Sequence, residues 1–515
     1  MRVANLLRNS AYSMTLYVVL AVLGVLIRQA FTQHLPVELL GLEGLFTNVI
    51  SLLSLAELGV STVISYGLYR EIANKNEAEV NMLMSIYRYI YLIIGAFVAL
   101  VGSILFFFLP WIVRDNSIEW HYVQLVYVIQ ICTVLSTYFL AYRRTLFTAD
   151  QKDFICIRID LICSLVANLL KFAAIVVWQS YTMYALTALG FNILANIIIS
   201  RRLGKEYPFL HTVKVTIRDM RQRKFFVDMK NFLIHKLSYI IYSGTDAIII
   251  SSVLGLRIAG LVSNYVLICD GVYKLLYKLL QGIIPTVANL VYMDDREKSY
   301  RVYRMLDFMY FLLGGYVACI YFTVLQPFMA LFFGNDFLLE RPYVTALAMN
   351  VFLGMQFENA YNFRSTHGVF ENDRGYMMLS AAVNLVLSIV LVHYWGVVGI
   401  MIGTIAGLGF IVYGRVQFVF RVIFRRSMVA YWCSHAWWSL VVVAEIWLID
   451  FLLRSPMFST TYMGLIGKCV LAAVLMAGMQ LIIFRRSEEL QAVYIYAGEI
   501  KNIIRNKFRA RKDRC

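Results

Sequence analysis

Asp270, Lys274 and Lys278 recur at i, i+4 and i+8 inside an otherwise apolar stretch, so on a helix they form one charged stripe. A carboxylate and an ammonium four residues apart can pair and lower the cost of burial. Lys278 is then left as an unneutralised cation. Four more ionisable residues, Glu57, Lys171, Asp246 and Glu358, lie within apolar runs, and Arg28 stands near the end of one. Lys278, Lys274, Lys171 and Arg28 together would make a landing surface for an anionic group such as phosphate, taken by arginine as a fork and by lysine as a point charge. Arg88 either joins that surface or snorkels to the interface. Glu57, Asp246, Asp270 and Glu358 could neutralise the cations or bind a coupling Na+ or proton. This is binding chemistry, and no catalytic residue is expected.

These charges matter because of where the chain places them. Of its 515 residues, 60% are hydrophobic and only 15% charged, and the mean hydropathy is +0.69. That is too apolar for soluble domains of ordinary composition. The chain reads as an all-α polytopic membrane protein with spans near 8–31, 43–68, 85–109, 121–142, 159–178, 181–200, 233–253, 260–291, 305–333, 342–363, 375–394, 397–414, 430–452 and 461–484. The first apolar run is longer than a signal-peptide core and reads as a retained span. Inside hydrocarbon each ionisable group costs roughly 2.5–3.5 kcal/mol, so the seven buried ones must face a cavity or a partner.

The net charge of +16 sorts by side. Thirty-six of the 47 lysines and arginines fall in the connections of one face, and four (Arg114, Arg257, Arg341, Arg454) in those of the other. The positive-inside rule then places both termini in the cytoplasm. A topological excess of this kind is no argument for nucleic acid. Eight scattered cysteines without a C-x-x-C pair imply neither a metal centre nor a disulfide framework. Gly464 to Cys469 lacks the spacing and hydroxyl of a phosphate-binding loop, so nothing here hydrolyses ATP.

The same plan occurs twice, 216 residues apart. Gly44-Leu45-Phe46-Thr47-Asn48 returns as Gly260-Leu261-Val262-Ser263-Asn264, Tyr87-Arg88 as Tyr303-Arg304, and Ser164 with Asn168 as Ser380 with Asn384. One register kept over three separated places suggests a duplicated bundle. Residues 1–200 would form one six-helix lobe and 233–426 a second, parallel to it, joined by a cytoplasmic linker at 201–232. Residues 427–484 add two helices, and 485–515 form a basic tail that either lies on an anionic leaflet as an amphipathic helix or stays solvated. Asn48 and Asn264 could bond between helices or touch a sugar. The outer connections are too short for an extracytoplasmic active site, which counts against a polysaccharide polymerase.

Leu40-Gly41-Leu42-Glu43-Gly44-Leu45-Phe46, Ser54-Leu55-Ala56-Glu57-Leu58-Gly59, Tyr69-Arg70, Tyr87-Arg88, Ser243-Gly244-Thr245-Asp246, the stretch from Gly260 to Asn264 and that from Gly396 to Thr404 resemble the bacterial oligosaccharide flippases. These form the polysaccharide-exporter family of the multidrug/oligosaccharidyl-lipid/polysaccharide flippase superfamily, and the resemblance runs from residue 1 to about 425. It implies a flippase in the bacterial cytoplasmic membrane that moves an undecaprenyl-diphosphate-linked oligosaccharide by alternating access. The glycan would be a precursor of capsule, exopolysaccharide, O-antigen or teichoic acid. Its partners would be that lipid-linked oligosaccharide, membrane lipids and a polymerase or glycosyltransferases. The family carries no universal site residues, and the two extra helices depart from its commoner twelve-helix pattern. A multidrug or cation antiporter of the same superfold, a polymerase and an assembly scaffold remain the alternatives. Lys274 and Lys278 count against the antiporter.

Overall fold

The computed structural model describes residues 19–53, 74–113, 118–150, 152–216, 244–281, 296–366, 374–455 and 460–495, with isolated positions between 64 and 72. Among these residues the chain is helical throughout, without strands. In order come α1 (19–34), α2 (Val37–Leu53), α3 (Glu77–Ile112), α4 (Trp120–Leu140), α5 (Phe154–Val176), α6 (Tyr181–Glu206), α7 (Asp246–Val253) and α8 (Leu256–Gln281). Then follow α9 (Arg296–Phe333), α10 (Arg341–Gln356, continued by a short helix Glu358–Thr366), a long segment Arg374–Phe418, α13 (Val429–Leu452) and α14 (Tyr462–Phe484). Nine of the described helices are long and apolar enough to cross a membrane.

The segment Arg374–Phe418 would measure about 68 Å as one straight helix, more than twice the hydrocarbon thickness. It breaks at Gly396, whose φ of 54° and ψ of −134° suit a residue without Cβ. A Cβ on Gly399 would lie 2.2 Å from the Leu391 carbonyl oxygen, one on Gly403 would meet Ser388, and one on Gly414 would meet Tyr376. These pairs close symmetrically about residue 395, so the segment is a hairpin of two spans, α11 (374–395) and α12 (397–418). Every one of the fourteen sequence spans therefore contains helix wherever residues are described. Several helices begin earlier than charge placement suggests: α2 at Val37, α8 at Leu256 and α9 at Arg296. Helices outrun the hydrocarbon, and this brings Glu43 into a helix.

Packing groups the chain into residues 1–276 and 277–515. The division falls within α8, away from the 201–232 connection, because α7 and most of α8 pack with the first unit. Repeat boundaries record sequence ancestry, whereas packing units record contact, and here the two differ.

In the first unit Leu42, Leu45, Phe46, Val98, Val126 and Phe147 form the dry centre. At the ends of α5 and α6, Arg144 grips Asp160 through two bonds of 2.8 and 2.9 Å and Asn196 through a third of 2.9 Å. The chain leaving α6 is bound back onto α3. Asn81 donates to the Phe209 carbonyl at 3.1 Å, Ser85 accepts from the Val213 amide at 2.9 Å, and Arg88 donates to Thr212 at 2.8 Å. Arg88 is thus a tether for the connection after α6. In the second unit α9 is the central helix, with Phe308, Phe311, Trp438 and Phe484 interlocking between α9, α13 and α14.

The closest helix approach in the first unit joins α2 to α8. A Cβ on Gly41 would fall 2.0 Å from the Leu256 carbonyl oxygen, and one on Gly260 would fall 2.2 Å from that of Val37. The contact is reciprocal, backbone on backbone, as small residues permit at helix crossings in membranes. Gly41→Leu or Gly260→Leu should drive the helices apart and lower stability by about 1–3 kcal/mol, measured as thermal unfolding of the purified protein. Gly44→Ala, with nothing within 4 Å of its Cβ position, should leave the melting temperature nearly unchanged.

Candidate functional site

Five helices of the first unit meet around three charges. The α5–α6 hairpin turns at 177–180, where Gln179 adopts a φ of 46° and Ser180 caps α6 by accepting from the Met183 amide at 3.3 Å. The turn sets Lys171, near the end of α5, against Tyr184 in the first turn of α6. The Lys171 ammonium lies 4.9 Å from the centre of the Tyr184 ring, a cation–π contact. Tyr184 in turn donates its hydroxyl to Glu43 Oε1 at 3.3 Å, linking α6 to α2. Phe31 of α1 wedges edge-on against Tyr181 and Tyr184, at 5.8 and 5.9 Å, while those two rings stack at 5.5 Å. One turn before Phe31, Arg28 donates to the Ser263 hydroxyl of α8 at 3.3 Å.

The result is two cations and one carboxylate around an aromatic wall. Glu43 acts electrostatically on Lys171 and on Tyr184, and Arg28 acts on Tyr184. All four are partly buried or buried, and they sit within about 10 Å, by residue count, of the helix ends that charge asymmetry assigns to the outside. A site of this composition can take a phosphate-type anion. Among the described residues Arg28 presents a fork bonded to a neutral hydroxyl, and Lys171 presents a point charge held by a ring and a distant carboxylate.

Of the other sequence candidates, Lys274 and Lys278 fall on α8, four and eight residues beyond Asp270, with side chains outside the described set. Asp270 itself is exposed on the surface of α8. Asp246 is the first residue of α7, where the positive end of the helix dipole favours a carboxylate. Glu57 lies outside the described residues. Glu358 belongs to the second unit, where Arg415 is the cation that acts on it and itself covers the Tyr361 ring at 4.6 Å. The structure thus brings Arg28 and Lys171 together in one unit and puts Glu358 in the other. Asn48 bonds back to its own helix at the Gly44 carbonyl, 2.9 Å away. Asn264, its repeat counterpart, is fully buried with no partner for its amide among the described residues.

Glu43 is the residue that sequence reasoning passed over. It stands at the first position of the span 43–68, where a carboxylate looks interfacial, but α2 starts six residues earlier. Its place two residues after Gly41 is the signal that could have found it, since Gly41 permits a close helix crossing at that level. The buried Asp307, Glu445 and Lys468 of the second unit were likewise absent from the count of intramembrane charges.

An all-helical, multi-pass membrane fold defines a class, and solved structures share that fold. The lipid II flippase MurJ in an inward closed conformation superposes with a TM-score of 0.66 at 13% identity, over 92% of this chain and 98% of that one. An inward-facing multidrug resistance MATE family transporter of the MOP superfamily gives 0.58 at 13% identity, over 78% and 93%. The Vibrio cholerae MATE transporter VcmN gives 0.55 at 12%, over 79% and 95%. At such identities the likeness is one of fold. No curated protein matches in sequence. The chain belongs to the family of polysaccharide biosynthesis proteins, whose pattern it matches over residues 6–292, more than half its length.

Because Glu43 is the carboxylate that acts on Lys171, removing it alone should cost more than removing it together with Lys171. Glu43→Gln should destabilise by about 1–3 kcal/mol, as expected when a buried charge loses its partner. The double variant Glu43→Gln/Lys171→Met should recover part of the loss. A double-mutant cycle on thermal unfolding checks this, and strict additivity would show that the two residues do not interact.

Proposed function

We propose that this chain is a flippase of the bacterial cytoplasmic membrane that moves an undecaprenyl-diphosphate-linked oligosaccharide between leaflets by alternating access, for cell-surface polysaccharide synthesis. The observation that carries the reading is the Arg28–Lys171 cation pair on an aromatic wall, in a chain of the polysaccharide biosynthesis family. A diphosphate offers several acceptor oxygens, and charge-assisted bonds to them are roughly twice as strong as the neutral bond Arg28 now makes. Tyr184, backed by the buried Tyr181, would give the first sugar an edge to pack on. The polyprenyl chain stays in lipid.

Lys274 and Lys278 would extend the cationic path along α8, about 16 and 22 Å beyond the level of Ser263. Movement of the anion from one level to the other is displacement across the membrane field, where each elementary charge is worth about 2.3 kcal/mol per 100 mV. Glu57, Asp246, Asp270 and Glu358 would balance these cations or carry a coupling Na+ or proton. Both termini would face the cytoplasm, with the basic tail against anionic lipid, and the glycan would pass to a polymerase or glycosyltransferases. No covalent chemistry is needed, so the protein would not be an enzyme. A multidrug antiporter, built to hold organic cations, would be poorly served by Arg28 and Lys171.

The test is export in cells together with binding in vitro. Arg28→Gln/Lys171→Gln should weaken binding of undecaprenyl diphosphate by about tenfold or more, since each lost charge-assisted contact is worth about 1.5–3 kcal/mol. Surface polysaccharide should fall while protein abundance holds. Lys278→Glu should do the same if that residue receives the diphosphate at the other level. Unchanged export with the double variant at normal abundance would sink the diphosphate site. Loss of organic-cation efflux with glycan export intact would favour the antiporter.

A further inference from the structure

In the second unit, His435 of α13 and Asp307 of α9 face each other, each 2% exposed. His435 Nδ1 is 3.1 Å from the Tyr431 carbonyl oxygen. A carbonyl can only accept, so Nδ1 carries a hydrogen of its own and the ring's other nitrogen is the exchangeable one. That nitrogen, Nε2, lies 3.2 Å from Asp307 Oδ2. With one proton between them the pair is net neutral, whether the proton sits on nitrogen or oxygen. Without it, a bare carboxylate is left in a dry interior, and with a second proton an imidazolium is left, both of which low dielectric disfavours.

The surroundings answer the pair only in part. Asp307 Oδ1 and Asn359 Oδ1 are buried without a hydrogen-bond partner among the described residues; Asn359 Nδ2 gives one hydrogen to the Tyr303 carbonyl at 3.0 Å, and its second acts on the Asp307 carboxylate. A permanent structural pair would be expected to satisfy all its members, because a half-satisfied polar network is worse than an apolar one. The other polar and charged groups around the pair are few. From α9 come Tyr303 and Arg304, the latter paired with Glu489; from α13 comes Tyr431, whose ring is 3.9 Å from that of His435; and Phe357 stacks on the imidazole at 5.1 Å. Glu358, next to Asn359 in sequence, is answered by Arg415. Trp438 lies 4.9 Å from the imidazole with Phe308 and Phe311 packed on it, and Arg304, three residues before Asp307 on α9, is the fixed cation that acts on the carboxylate.

We propose that Asp307 and His435 form a proton-binding site in the second unit, holding one shared proton between Oδ2 and Nε2. Uptake and release move a proton and nothing else. When the proton leaves, the pair becomes anionic and α13 loses its polar link to α9. The site stands apart from the diphosphate cluster, and its fate does not depend on the substrate.

The test is infrared difference spectroscopy on the full-length protein in lipid nanodiscs, titrated across the imidazole range around pH 6.5 and beyond, with isotope-labelled histidine. A carboxyl band and a labelled imidazole band should titrate together at one midpoint and account for one proton per chain. Both should vanish in Asp307→Asn and in His435→Gln. Asp307→Asn removes the titrating carboxyl at nearly constant shape, so its thermal stability should lose the pH dependence of the wild type. The exchanged pair Asp307→His/His435→Asp should restore co-titration. Bands that titrate independently, or a wild type with no carboxyl signal coupled to imidazole, would overturn the site even if no variant folds. Unchanged signals in Asp307→Asn would do the same. Loss of flipping in a separate glycolipid assay would bear on the flippase reading alone.

Discussion

A charge placed in hydrocarbon has to be answered within reach, and much of the packing in both units follows from that constraint. In the first unit Lys171, Tyr184 and Glu43 tie α5, α6 and α2 into one assembly, with Arg28 and Ser263 adding α1 and α8. In the second, Asp450 of α13 takes Arg341 of α10 at 2.6 Å and Arg454 at 3.6 Å, and Glu445 of α13 receives a bond from Gln480 of α14 at 3.2 Å. All of these but the local Asp450–Arg454 pair cross between helices that apolar contact alone would leave free to slide, since lipid tails solvate leucine as well as a neighbouring helix does. The charges therefore specify partners, and the small and aromatic residues fill the space those partners define.

The duplication carries this logic further than sequence identity suggests. Tyr87 and Tyr303, equivalent in the repeat, are both completely enclosed by other side chains. The arginines that follow them, Arg88 and Arg304, each reach a segment that trails a late helix: Thr212 after α6 and Glu489 after α14. The two added helices have thus taken over in the second unit the anchoring place that the α6–α7 connection fills in the first. That makes α13 and α14 integral parts of their unit.

Much of this was legible in the sequence. Hydropathy located helix in all fourteen spans, wherever residues are described, because a membrane forces long apolar helices and permits little else, and the break at Gly396 falls in the two-residue gap between the spans 375–394 and 397–414. The polar stripe of α8 and the position of Lys171 could be read from spacing. What could not be read was partnership. Glu43 looked like an interfacial residue because it stood at the edge of a run, and only the close crossing of α2 on α8 shows it to be inside. Asp307 and His435 are 128 residues apart in the chain, and no local pattern links them. The compact units also escaped the sequence, since a repeat marks what was copied and cannot say which copy a helix packs against.

The contact between α2 and α8 is mostly backbone, with the Val37 side chain its one addition at Gly260. Where Gly41 and Gly260 meet the carbonyls of Leu256 and Val37, parting the helices would release few rotamers at the crossing itself. One turn away, Arg28 holds Ser263 through a single neutral bond of 3.3 Å. An arriving anion would compete for the same guanidinium that helps keep the helices together. Occupancy and separation then draw on one group, so a ligand bound there would itself speed the opening of the seam, and an empty site would tend to keep it shut.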